Sequence, residues 1–121
     1  MRRCKGFTLV EIMIVVTIIG LLVAMLFPGM IKARKKSFAT SILSEVRLMN
    51  DAVDQWALEK RKREGAPIVT SEAAQYLKGT WHDKDLLGNP YIIGTVGYSA
   101  IKISQETKDS LAGVGIDWGP Y

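Results

Sequence analysis

Glu11 is the side chain whose type and position most need a chemical explanation. It sits inside an almost unbroken apolar run, Phe7 to Phe27, where Thr8 and Thr17 are the only other polar side chains. A carboxylate left unpaired in lipid costs roughly 2.5 kcal/mol or more. Such a group marks a function, and its partner has to be identified. Groups that could support catalysis do not form a pattern. His82 is the single histidine, and no motif supplies it with a partner. Gly113-Val114-Gly115 lacks the strand–turn–helix setting of a nucleotide loop, and the scattered serines and carboxylates show no triad arrangement. Asp109 and Asp117 are hard oxygen donors of the kind calcium takes, at a spacing that matches no calcium loop. The residues therefore predict no catalytic site, no metal site, no cofactor and no enzyme.

The element that must position Glu11 is a membrane-length helix. Phe7–Phe27 would extend about 32 Å, against a hydrocarbon core of roughly 30 Å. It is apolar on nearly every side, so periodicity defines no face. By these features alone it fits a signal anchor. It also fits a secretory signal peptide, although no small-x-small cleavage site follows. Gly20 and Pro28 mark its weakest stretch, because glycine costs about 1 kcal/mol and proline about 3 kcal/mol inside a helix. Pro28 also lacks an N–H and crowds the carbonyl of Ala24. Basic residues flank both ends, Arg2, Arg3 and Lys5 before the run and Lys32, Arg34, Lys35 and Lys36 after it, so charge does not orient the span.

The order Lys5-Gly6-Phe7-Thr8-Leu9-Val10-Glu11, followed by Ile12-Met13-Ile14-Val15-Val16, resembles the signal of the prepilin family. That family comprises precursors of type IV pilins and of the pseudopilins of type II secretion. The resemblance covers residues 1 to about 30. It implies a leader at residues 1–6, cleavage between Gly6 and Phe7, and N-methylation of Phe7. It also implies a transmembrane, filament-core helix over residues 7–30 and a small soluble domain over 31–121. Glu11, Gly20 and Pro28 fall where the family carries assembly determinants. The implied partners are copies of the chain, other pilins or pseudopilins, the prepilin peptidase and methyltransferase, an inner-membrane assembly platform, and membrane lipid. The implied location is the bacterial inner membrane, single-pass, with the C-terminal domain outside the cytoplasm. Asp85-Leu86-Leu87-Gly88-Asn89-Pro90-Tyr91 resembles a segment of the major pseudopilins, some of which bind calcium through a C-terminal loop. A membrane-anchored display module, such as a DNA-capturing minor pilin, is the other functional class left open.

The remaining chain predicts an α+β domain. Ile42, Val46, Met49, Val53 and Trp56 recur at helical steps within a Ser37–Glu64 helix, whose second half is expected to pack on a small antiparallel sheet. Lys60-Arg61-Lys62-Arg63 falls at its C-terminal end, where cations are favoured, and Gly65-Ala66-Pro67 stops it. Thr70 or Ser71 can cap a short helix over Glu72–Leu77. Tyr91–Val96 and Ser99–Ile103 read as strands around Gly97. Residues 104–121 are polar and Gly-rich, which predicts the least stable part of the domain, with Val114 and Ile116 as a short last strand and Trp118 and Tyr121 as anchors.

The formal charge of +4 does not describe the domain. Residues 37–121 hold 9 basic and 11 acidic side chains, and this balance argues against a nucleic-acid partner. Cys4 is the single cysteine and lies in the leader, so a disulfide cannot hold the domain.

Overall fold

The structure, a computed structural model, describes Gly6 and residues 8–121. Residues 1–5, including Cys4, and Phe7 lie outside the described residues, as do the leader and methylation assignments made on them. The chain divides into two compact units, Met1–Arg34 and Lys35–Tyr121.

Helix α1, Leu9–Glu59, is 51 residues long. In the first unit none of its side chains from Leu9 to Arg34 is buried. The helix is long and apolar enough to cross a membrane by length and composition. Helical hydrogen bonding continues through Pro28, so the missing N–H does not end the helix in this state.

In the second unit the character of α1 changes. Ile42, Val46, Met49, Val53 and Trp56 are all fully buried, the stripe expected from their spacing. Burial of each contributes about 1.5–3 kcal/mol. Tyr91, Val96, Ile101, Ile103 and Leu111 close the other side of the core. The indole N–H of Trp56 donates to Glu72 Oε2 at 2.9 Å, which ties the following short helix, α2 (Thr70–Ala73), to α1. Thr70 and Ser71 lie inside α2 rather than capping it. Val69 holds the capping position, and its carbonyl accepts from the N–H groups of Glu72 and Ala73 at 3.1 and 3.0 Å. A 3-10 turn, Ala74–Tyr76, follows directly.

The basic run lies past the end of α1 rather than in its last turn. The helix stops in a Schellman arrangement: Lys62 N–H donates to Ala57 O at 2.8 Å and Arg61 N–H to Leu58 O at 3.3 Å. Arg61 takes the left-handed conformation this needs, with φ 53°, at a position where glycine is preferred.

The sheet is smaller than expected. Strands β1 (Ile92–Ile93) and β2 (Ile101–Lys102) pair antiparallel, Ile92 opposite Lys102 and Ile93 opposite Ile101. Two local features shorten the ladder. Gly94 lies so near Ala100 O that an added Cβ would sit 3.2 Å from it, and Ser99 leaves the extended region with φ 56°. Past Gly94 the chain pairs with the segment after α1 instead, through Gly65 N–H to Val96 O at 2.7 Å and Val96 N–H to Ala66 O at 2.9 Å.

On its other side β2 pairs with a side chain. The Asn50 amide donates to Ile101 O and accepts from Ile101 N–H, each at 3.0 Å, while also donating to Val46 O at 2.9 Å. Asn50 is buried on α1 and takes the place of a third strand. Leaving the Ile101 amide groups unpaired would cost about 1–3 kcal/mol each. Asn50→Leu is therefore expected to lower unfolding free energy by about 2–4 kcal/mol, as read by urea denaturation of the detergent-solubilised chain followed through tryptophan fluorescence. A loss under about 0.5 kcal/mol, the range of neutral surface changes, would refute this role.

Candidate assembly site and the C-terminal staple

The N-terminal site is built on the first turn of α1. Thr8 precedes the helix, and its carbonyl accepts from Ile12 N–H at 3.3 Å while its hydroxyl oxygen accepts from Glu11 N–H at 3.2 Å. Thr8 is thus the N-cap and Glu11 the third helical residue, the Thr-x-x-Glu pattern of a capping box. The Thr8-Leu9-Val10-Glu11 order carries this pattern in the sequence itself. Gly6 lies outside the helix and is exposed. Thr17, the other polar group of the span, donates its hydroxyl to Met13 O at 2.7 Å and needs no external partner. Among the described residues no cation pairs with the exposed Glu11 carboxylate. Gly20 is exposed too, and a Cβ added there would meet nothing within 4 Å. The structure therefore brings Thr8 and Glu11 together and leaves Gly20 and Pro28 further along the same helix.

In the second unit Asp85, buried, organises the Asp85–Tyr91 segment. Its Oδ1 accepts from Leu87 N–H at 2.9 Å and Asn89 N–H at 3.1 Å, and its Oδ2 accepts the hydroxyl of fully buried Thr107. Asn89 Nδ2 also donates to Thr107 Oγ1 at 3.0 Å. Thr107 sits on α3, Gln105–Ser110, whose N-cap is Ser104. This helix stands where the sequence predicted a loop. Leu111 and Val114 are buried beyond it, and Val114 and Ile116 form no strand. Trp118 and Tyr121 pack against the core, and Tyr121 O accepts from Ile103 N–H at 3.2 Å, which supports the aromatic anchors. Asp109 accepts from Gln105 and Asp117 from Gly119 N–H, each at 2.9 Å. Each is thus engaged locally and separately, and the described residues hold no group of three metal-ligating side chains.

His82 does have a partner. Its Nδ1 lies 3.0 Å from Glu45 Oε1, a contact 37 residues apart in sequence that no local motif signals.

Comparisons with known proteins place the N-terminal signal among known motifs. The family described as the prokaryotic N-terminal methylation motif matches residues 1–27. Residues 1–27 thus carry a prepilin-type motif, and the relatives that the chain resembles are type IV pilins and type II secretion core proteins. Over its full length it is similar to the type II secretion system core protein G of Aeromonas hydrophila, at 27% identity, covering 99% of this chain and 94% of that protein. It is 45% identical to the type IV wide pilus major component PilA4 of Thermus thermophilus, over 44% of this chain and 38% of that protein. A fimbrial protein of Pseudomonas aeruginosa is 34% identical over 90% of this chain and 64% of that protein. No solved structure gives a significant match.

Beside the staple, the Tyr91 hydroxyl is buried without a hydrogen-bond partner. Burial pushes the phenol above its ordinary value near 10.0, and the negative charges of Glu45 and Asp85 push it further. Glu45 acts here mainly through its charge, since the two groups miss hydrogen-bond geometry. A folded pKa above the unfolded one gives stability that is complete below about pH 10 and is lost as pH rises through the folded value. Between pH 9 and 11.5 the wild-type chain should lose more stability than Tyr91→Phe, and at pH 7 the two should agree within about 1 kcal/mol. Parallel stability–pH curves for the two would refute this.

Proposed function

We propose that this chain is made as a membrane-anchored precursor, cut between Gly6 and Phe7, N-methylated at Phe7, and assembled as a subunit of a type IV filament. Within that class the reading favours the type II secretion pseudopilus, on the full-length similarity to core protein G. The proposed divisions are a leader at 1–6, a transmembrane and filament-core helix at 7–30, and an external domain at 31–121. The proposed setting is the bacterial inner membrane, with the peptidase, the methyltransferase and the assembly platform as partners during export.

One observation carries the reading: a membrane-length helix whose apolar side chains are exposed, with a carboxylate in its first turn. Lipid covers such a surface in the monomer, and neighbouring helices cover it after assembly. Glu11 gains its counter-charge from the Phe7 amine of a neighbouring subunit. That amine exists only after cleavage, so an unprocessed chain cannot form the pair. In a medium of low dielectric such a pair is strong enough to fix axial register. Mass spectrometry of the membrane-extracted chain should give an N-terminus at Phe7 carrying one methyl group; a mature chain beginning at Met1 would sink the reading. Glu11→Ala should be processed normally and yield few filaments, and a wild-type yield would remove Glu11 from assembly.

Gly20–Pro28 is proposed to open during assembly. In lipid an open backbone has no hydrogen-bond partner, which keeps the monomer helical, and the helix is continuous there. Packed neighbours can shelter an extended segment, and the proline and glycine lower the cost of forming it. A filament map should show lost helical bonds between Gly20 and Pro28; an unbroken helix through this stretch would refute the proposal.

A further inference from the structure

At the far end of the apolar span, the first unit sets an apolar groove against a guanidinium. Phe27, Met30, Ile31 and Arg34 line a shallow groove of about 210 Å³ on α1. Their order i, i+3, i+4, i+7 puts them on one helix face. Phe27, Met30 and Ile31 are 60%, 66% and 52% exposed, and Arg34 is exposed beside them. Lys32 is exposed at nearly the same level, but two residues from Arg34 it points to nearly the opposite side of the helix.

Three observations identify what the groove fits. The chemistry changes along the helix axis, with apolar side chains toward the span and a cation beyond them. A phospholipid has the same order, acyl chain and then phosphate. The guanidinium matches a phosphate with two parallel N–H donors. Position agrees with this. Ile12 to Ile31, 20 residues in which Thr17 is the only polar side chain, separate Glu11 from the cations. As a helix they extend about 30 Å, the thickness of the hydrocarbon core. In a bilayer that span sets Arg34 at the headgroup level, Phe27, Met30 and Ile31 beside the upper acyl carbons, and Glu11 at the opposite boundary. Charge then selects among lipids. From Ile12 to Ser44 the chain holds no carboxylate, and among the described residues Arg34 lies within ion-pairing distance of none. A zwitterionic headgroup brings its own cation to its phosphate, whereas an anionic headgroup leaves the phosphate free to compensate Arg34.

We propose that this groove binds one anionic phospholipid of the surrounding leaflet, its acyl chain against Phe27, Met30 and Ile31 and its phosphate on Arg34. This deepens the membrane-anchored reading and rests on it. The test uses the full-length chain in phosphatidylcholine vesicles. A trace lipid, phosphatidylglycerol or phosphatidylcholine, carries a photoreactive diazirine near the glycerol end of one acyl chain, and the adducts are mapped by mass spectrometry. Adducts at residues 27–31 should form about fivefold more with phosphatidylglycerol, the effect of one cation at an anionic lipid surface. Arg34→Gln should bring the two lipids to near parity. Lys32→Gln, which removes a cation from the other side of the helix, should keep most of the preference. Equal labelling by the two lipids, adducts only outside residues 27–31, a preference that survives Arg34→Gln, or an equal loss in Lys32→Gln would each overturn the proposal. Alkaline carbonate extraction separates the two readings. A chain stripped from the vesicles would overturn both, and an inserted chain without lipid preference would overturn this one alone.

Discussion

The buried face of α1 between Ala39 and Ala57 is the constraint on which the domain depends. A sheet of two strands, each of two residues, cannot stand by itself in water. It is stable because the helix supplies an apolar wall and, through Asn50, a substitute for a missing strand. The amide satisfies both main-chain groups of Ile101, fixing where β2 lies along the helix. Register that a larger sheet would take from its ladder is here set by one side chain.

The opposite end of the domain follows the same rule. A chain without a disulfide must hold its C-terminal segment with buried polar contacts or packing, and this one uses both. Asp85 joins two backbone N–H groups of its own loop to Thr107 on α3. Trp118 and Tyr121 then lay the last residues against the core. A buried carboxylate is tolerated in such a place when its lone pairs are matched by donors, and three donors reach this one.

The strongest sequence signals were local and periodic, and they carried through. The stripe Ile42 to Trp56 is fully buried, and the membrane-length helix is present. What escaped reading were contacts between distant residues. Asn50 meets Ile101 across 51 positions, Glu45 meets His82 across 37, and Asp85 meets Thr107 across 22. No periodicity encodes such pairs. Strand lengths were overestimated because β-branched composition at 91–96 and 99–103 does not register the close approach at Gly94 or the left-handed Ser99. Helix α3 was missed because its polar residues read as loop, although Ser104 marks its start. At the N-terminal site, the carboxylate was evident and the Thr8 cap beside it was legible but unread.

The cap at Thr8 has an electrostatic consequence for Glu11. The aligned peptide dipoles of a long helix place roughly half a positive elementary charge at its N-terminus, an effect confined to the first turn. Glu11 lies within that turn. The helix itself therefore offers the carboxylate partial compensation, worth about 0.3–1 kcal/mol at exposed sites and up to ~2 kcal/mol when partly buried. That field belongs to the helix itself and needs no second chain. It lowers the cost of placing a carboxylate in the first turn of an apolar helix, while remaining too weak to replace a full counter-ion.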